Sequence, residues 1–485
     1  MHSRPRVICA AISLLLAAGG SVAQNADPLR AAAEKAVATN PEVTARFNAY
    51  RSATDAVDAA RGGFLPRVDL NASVGRDEDR ITGRLPDETQ SLNRSQFGLS
   101  LTQLLWDGLG TRKDVDRLTH DRLARYFELL EATEQTVLEA ARAHYDVRRF
   151  RRLVQLAEDN YVQHRYAFLQ IQSRVKAGVG RGVDLEQAGA RLALAESNLT
   201  TELANLHDVT ARYQRVVGEL PPAQLPTLAM LMPGVPASAG DAVTTSLRNS
   251  PAVSASIEAL RAARAQTGAR ESAFQPRVEA RLRSAAGRHV DGMQDRKRNG
   301  SAEIVLSWNL YNGGSDTARV RQQVGLMNQA ADLRDRVCRD ARQVAAIAYN
   351  DTRKLTEQLV YLERNTLAIE KARDAYRQQF DIGQRGLLDL LNAENEVYTA
   401  RRAYANAEHD LALAYARTHA AMNRLSTTLG IARTDRDAEE AAGWTAGDDA
   451  PDRCPVAVVG ELGASDRAAL DARAEGLSRN APTPR

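Results

Sequence analysis

Along much of the chain the apolar positions recur in one of two rhythms. Val68, Leu70, Ala72 and Val74 alternate with Asp69, Asn71, Ser73 and Gly75. Phe97, Leu99 and Leu101 alternate with Gln96, Gly98, Ser100 and Thr102. Further on, Val278, Ala280 and Leu282 oppose Arg277, Glu279, Arg281 and Arg283, and Ala302, Ile304, Leu306 and Trp308 oppose Glu303, Val305, Ser307 and Asn309. A period of two predicts strands with one apolar face. Elsewhere the rhythm is helical. Ala341, Ala348, Leu355, Leu362, Ile369 and Tyr376 recur every seven residues, with Val337, Val344 and Leu359 in neighbouring stripe positions. A sustained seven-residue repeat predicts left-handed coiled packing. The run 315–380 has no proline and a single glycine, Gly325, and the run 111–176 is similar. At ~1.5 Å per residue each run makes a helix roughly 100 Å long, far beyond the usual length.

The same landmarks occur twice in the same order. Asn40-Pro41 opens a helical run that ends at Phe64-Leu65-Pro66-Arg67-Val68, and Ser250-Pro251 opens one that ends at Phe274-Gln275-Pro276-Arg277-Val278, 210 residues later. Trp106-Asp107-Gly108 returns as Tyr311-Asn312-Gly313, and Gly178 and Asp184 return as Gly383 and Asp389, each at an offset of 205. Such ordered recurrence predicts an internal duplication. Residues 24–217 hold a helix, a strand pair at 67–105, a long helix at 111–176 and a return helix at 183–217. Residues 241–429 hold a helix, a strand pair at 277–310, a long helix at 315–381 and a return helix at 387–428. The Pro-rich stretch 218–240 reads as a linker. From 430 to 485 the pattern lapses into Ala, Asp, Gly and Pro, which predicts a largely disordered tail.

The strands fit two readings. An ordinary soluble hairpin with one packed face would show the same alternation. A membrane wall is favoured by three features: the charge density opposite the apolar face in 277–283, Trp106 and Trp308 at matching strand ends where an interfacial aromatic girdle belongs, and charged, turn-rich segments at 76–92 and 287–300 that read as outward loops. Each strand spans about ten residues, enough to cross a bilayer when tilted. Four strands cannot close a barrel, and open edges are not tolerated in lipid, so the membrane reading requires several protomers to share one barrel.

The N-terminus reads as an export signal, 1–23. Arg4 and Arg6 precede an apolar run from Val7 to Ala18, too short to anchor, and Ser21-Val22-Ala23 fits a cleavage site that leaves Gln24 first. Cys9 lies inside that run, so no lipid-attachment cysteine starts the mature chain. Cys338 and Cys454 remain. A bond between them is open, but nothing in their positions calls for it, and so few cysteines suit a fold without a disulfide frame. Net charge is +3 with 26% charged and 5% aromatic residues, which argues against a nucleic-acid partner and for long helices burying narrow stripes. The sequence contains no Walker loop, His-Glu-x-x-His, Gly-x-Ser-x-Gly or Cys-x-x-Cys. No catalytic, cofactor or metal site is expected, and His144 and His164 on the long helices read as surface or interface residues.

The fold class is therefore mostly α, with long coiled helices and a small membrane β portion. Over residues 27–429 the chain resembles the TolC family of outer-membrane efflux and secretion proteins. The carrying motifs are the two Phe-x-Pro-Arg-Val entries, the exits Leu105-Trp106-Asp107-Gly108 and Leu310-Tyr311-Asn312-Gly313, and the turns Ala177-Gly178-Val179-Gly180 and Ile382 to Ala393. The resemblance implies a homotrimer with a shared twelve-stranded barrel in outer-membrane lipid and an α-barrel tunnel in the periplasm. It also implies a periplasmic adaptor (membrane fusion) protein docking at Gly178, Val179, Gly180, Gly383 and Gln384, and an inner-membrane ABC or proton-driven transporter. Arg385 matches a latch, Asp389 an acidic pore ring, and Asp184 the residue that accepts the latch from a neighbouring helix. Asn392 stands where the family has a second acidic ring. Both Asp184 and Asp389 begin helices, where they are expected to act as caps. The function implied is a passive conduit for type I secretion or efflux, with the missing lipidation cysteine leaning toward secretion. The alternative is a non-conducting coiled-coil envelope protein.

Overall fold

A computed structural model describes residues 27–82, 88–225, 228, 230–290, 294–431, 443–456 and 467–479. The export segment and Cys9 lie outside the described residues. Helix α1 (Pro28–Thr39) leads into α2 (Pro41–Arg61), and the side chain of Asn40 accepts from the Glu42 amide to cap it. Helix α6 (Pro251–Glu271), preceded by the short α5 (Ala239–Asn249), starts the same way, with Ser250 accepting from Val253 N. Proline at the first helical position loses no hydrogen bond and presets φ, which fixes both starts. Each helix tightens into a 3-10 turn, at Gly62–Phe64 and Ser272–Phe274, because the residue before Pro66 or Pro276 is pushed out of the helical region.

Strands β1 (Arg67–Ile81), β2 (Glu88–Trp106), β3 (Arg277–Arg288) and β4 (Arg296–Ser307) form one antiparallel sheet in the order β1-β2-β3-β4. The strands run further than their apolar stretches. Much of 76–92 and 287–300, expected to be loop, is paired strand: Arg76 sits opposite Asn93 and Arg288 opposite Arg296. The alternation there is polar on both faces, so no apolar signal marks it. Residues 83–87 and 291–293 lie outside the described residues. Trp106 closes β2, and Trp308 falls just past the end of β4.

From the sheet, α3 (Gly110–Lys176) and α7 (Ser315–Asp381) run away as helices of 67 residues each. They return as α4 (Gly182–Val217) and α8 (Leu387–Ala421). Gly108 has φ +67° at the exit from β2, and a Cβ there would lie 2.4 Å from Cβ of Gln275, so only glycine fits. The expected return helix 387–428 is broken: Asn423 adopts φ 54°, ending α8, and α9 (Leu425–Thr428) follows, its first amides accepted by the buried Glu134 of α3. The main core lies about midway along α3, where Leu29, Val37 and Val43 meet Val137, Ala141, Tyr145, Tyr213, Val217, Ala412 and Leu425.

The tail is not uniformly disordered. Gly443–Val456 lies as a strap across α6 and α7. Trp444 stacks edge-on against Phe127 at 5.0 Å and donates to Glu258 Oε1 at 2.6 Å. Asp449 pairs with Arg261 at 2.9 Å and Arg264 at 2.8 Å, and Arg453 with Asp332 and Asp335. Cys338 and Cys454 are disulfide-bonded, Cα atoms 6.0 Å apart, which corrects the expectation of a fold without one. Closing a loop across 116 residues restricts the unfolded chain, an effect typically of about 2–4 kcal/mol. A helix, α10 (Arg467–Arg479), forms beyond the strap. Residues 432–442, 457–466 and 480–485 lie outside the described residues.

His144 and His164 are buried, not surface groups. Alanines at 140, 141 and 143 and Val147 bring α3 close to its neighbours and enclose His144. Burial lowers its pKa to about 4, and lowers that of His409 on α8 to about 4 as well. Both imidazoles are thus neutral when folded, while the unfolded chain takes up these protons below about 6.5. Stability is complete above that pH and is lost as pH falls from 6.5 toward 4. Thermal unfolding of the purified protein should therefore show a lower midpoint at pH 4.5 than at pH 7, and replacing both residues with Gln should reduce the difference.

Candidate membrane wall and channel entrance

The register settles which side chains share a face of the sheet. Val68 pairs with Leu101, Leu101 with Leu282, and Leu282 with Ala302, so all four point the same way. The next rows add Leu70 and Leu99, then Ala72, Phe97 and Ala286 on one side and Ala280, Ile304, Val278 and Leu306 on the other. The result is a continuous apolar face over all four strands, with Val74 at 89% and Ile304 at 74% exposure and no described helix covering it. The opposite face carries Arg67, Asp69, Arg281, Arg283, Glu279 and Glu303, with Glu279 held by Arg277 at 2.6 Å and Arg281 at 2.8 Å. Exposed Phe64, Trp106, Phe274, Trp308 and Tyr311 collect at the helix end of the sheet. Trp308 Nε1 donates to the carbonyl of Phe274 at 3.1 Å, which ties the start of this aromatic rim to its end. No described helix is long and apolar enough to cross a membrane. Strands β1 and β4 each leave one edge unpaired.

At the far end of the long helices the two turns share one geometry. Gly178 (φ +77°) ends α3 and Gly383 (φ +76°) ends α7. Val179 N and Gly180 N both reach back to Arg174 O, and Gln384 N and Arg385 N both reach Gln379 O, so each turn satisfies the last carbonyls of its helix. Ile171, Ala188, Phe380, Leu387, Leu390 and Leu391 pack beneath. Val179 at 80% and Ile382 at 69% exposure project from the tips.

The structure distributes the expected gate residues as follows. Arg385 lies 4.4 Å over the Tyr376 ring, donates to Gln379 Oε1 at 3.0 Å and pairs with Asp389 at 3.5 Å. Asp184 pairs with Arg181 at 3.2 Å, so within one protomer the latch and its expected acceptor are not together. Neither Asp184 nor Asp389 makes a capping hydrogen bond: each is the third residue of its helix, and Arg181 and Gly386 occupy the cap positions. What remains is a favourable charge in the first turn. Asn392 accepts from Arg191 Nη2 at 2.8 Å, which links α8 to α4.

A cluster that sequence reasoning missed lies below. Glu394 of α8, with 7% of its side chain exposed, is held by Arg373 at 3.1 Å and Arg377 at 2.6 Å, both on α7. Arg377 also donates to Gln163 of α3 at 2.6 Å. Burial alone would lower the Arg373 pKa, but Glu394 and Asp374 beside it raise it. The available signal was a pair of arginines one turn apart on the helix that faces the return helix. Among the described residues, no cluster of His, Cys, Asp and Glu is arranged to hold a metal ion.

The sequence profile for outer membrane efflux proteins matches residues 32–219 and 242–424. The chain is 26% identical over 408 residues to the outer membrane efflux protein BepC of Brucella suis, covering 84% of this chain and 87% of that one. It is also 26% identical over 412 residues to the alkaline protease secretion protein AprF of Pseudomonas aeruginosa, covering 79% and 81%. The fold matches the outer-membrane channel CmeC of Campylobacter jejuni with TM-score 0.76 over 85% of this chain and 88% of that one, at 14% identity. A profile match spanning both halves of the chain, on a fold shared with that channel, places this protein in the outer membrane efflux protein family.

Proposed function

We propose that three copies of this chain close one twelve-stranded barrel in the outer membrane and extend their helices into the periplasm as a tunnel, forming a passive conduit for efflux or type I secretion. The observation that carries this reading is the uncovered apolar face on a sheet with two unpaired edges. In lipid each unpaired backbone group costs several kcal/mol, so β4 of one protomer must pair with β1 of the next. A second observation points the same way. Helix α7 exposes Val344, Ile347, Val360, Tyr361 and Leu367, a stripe that a neighbouring protomer's helices would cover.

The turns carrying Gly178, Val179, Gly180, Gly383 and Gln384 are the surface for a periplasmic adaptor, with Val179 and Ile382 as apolar contacts, and an inner-membrane transporter supplies the energy. The relatives named for efflux and for protease secretion support both cargo classes. Asp389, with its copies, forms a cation-attracting ring at the entrance. Asn392 adds no charge there, and Arg385 braces the ring from the same turn. The chain itself performs no catalytic step. Purified protein in planar bilayers should conduct weakly, and Arg385→Ser should raise the resting conductance about two- to fivefold, in keeping with an exposed pair worth ~0–1 kcal/mol. The non-conducting coiled-coil reading gains if no variant conducts.

A further inference from the structure

We propose that the outward face of the β3–β4 tip is a binding site for the phosphate groups of outer-leaflet lipid. The proposal rests on the sheet being a membrane wall. The even-numbered positions of β3 and β4 make the apolar face from Val278 to Ala286 and from Leu306 to Ala302. On that same face, where the apolar run of β3 and β4 ends, stand Arg288, Arg296 and Arg298. Arg288 is directly opposite Arg296, and Arg298 opposite Ala286. All three are exposed. No acid occurs at any outward position of these two strands.

The arginines of the opposite face are different. Arg277 and Arg281 share Glu279, and Arg283 lies 3.9 Å from Glu303. The three outward arginines have no ion pair with any described residue. Like charges directly opposed on neighbouring strands repel, so this arrangement is unfavourable until an anion lies between them. Height decides which anion. The helices attach at the other end of the sheet, so the β3–β4 tip points away from the periplasm. Leu306 to Arg298 spans ~26 Å along the strand at ~3.3 Å per residue, or ~19 Å of height at a ~45° tilt. Arg288 and Arg296 sit ~5 Å further out. The outward apolar band of a membrane barrel is ~25 Å tall, so the cluster falls at its upper edge, level with lipid headgroups. The planar fork of arginine matches phosphate oxygens in pairs.

The test is native mass spectrometry of the detergent-purified protein incubated with bis-phosphorylated lipid A or with the same lipid stripped of its phosphates. The wild type should retain the phosphorylated lipid and release the other. The triple variant R288S/R296S/R298S should lose retention by at least about tenfold, while R281S/R283S, with charge removed from the opposite face, should retain it. Equal retention by the wild type and the triple variant overturns the proposal, as does equal retention of the stripped lipid. Displacement by inorganic phosphate at the lipid's own concentration also overturns it, because the site would then serve a soluble anion. If the triple variant fails to assemble, the two lipids on the wild type and the single variant Arg298→Ser decide the matter. Failure of the wild type to form a detergent-requiring oligomer would instead sink the membrane-wall reading.

Discussion

Leu282→Arg should abolish accumulation of the assembled protein in the outer membrane. Leu282 lies midway along β3, opposite Leu101 of β2 and Ala302 of β4, on the uncovered apolar face. In one protomer it is 51% exposed and no described helix covers it. An arginine on the lipid face near the bilayer midplane costs ~2–4 kcal/mol. In a trimer that sums to ~6–12 kcal/mol, comparable with the entire stability of an ordinary fold. Glu303→Lys, next to the Ala302 that pairs with Leu282, makes a larger change in charge but faces the other side, where its one ion pair among the described residues is 3.9 Å long to Arg283. It should assemble normally. The readout is the heat-modifiable oligomer in outer-membrane fractions, and similar yields for the two variants would show that the sheet does not lie in lipid.

Glu394→Leu is expected to open the entrance more than Arg385→Ser does. The reason is burial. Arg385 and Asp389 are 40% and 45% exposed, and such pairs contribute ~0–1 kcal/mol. Glu394 is enclosed, and its removal leaves, among the described residues, no carboxylate paired with Arg377 and only Asp374, at 2.7 Å, paired with Arg373. Breaking a buried pair from one side costs ~3–5 kcal/mol. That loss falls on the contact between α7 and α8 and, through Gln163, on α3. Resting conductance should rise by an order of magnitude or more, with Glu394→Gln between the variant and the wild type. If Glu394→Leu conducts no more than Arg385→Ser, the buried cluster does not hold the entrance shut.

Much of the architecture was legible because a few residues punctuate it strongly. Pro66 and Pro276 stop helices, Gly178 and Gly383 turn them, and the two apolar rhythms fill the intervals. The strand tips were less legible. Where a strand rises beyond lipid, as at Arg76 and Glu78, neither face is apolar and the composition resembles a loop. The strap was illegible for another reason: Trp444, Asp449 and Arg453 are fixed by partners on α3, α6 and α7 and not by any local periodicity. Two cysteines in an exported chain were its one usable signal. At the entrance, sequence reasoning found the exposed charges of the turns and missed Glu394, whose weight comes from burial among three helices. His144 was misplaced by its polarity, although the alanines around it predict close packing.

The membrane wall and its completion by sister subunits underlie the entire account, and the mass of the purified mature protein tests both. In detergent, light scattering on a sizing column should give three chains per particle, and removing the detergent should precipitate them. A monodisperse single chain that stays in solution without detergent would contradict the account.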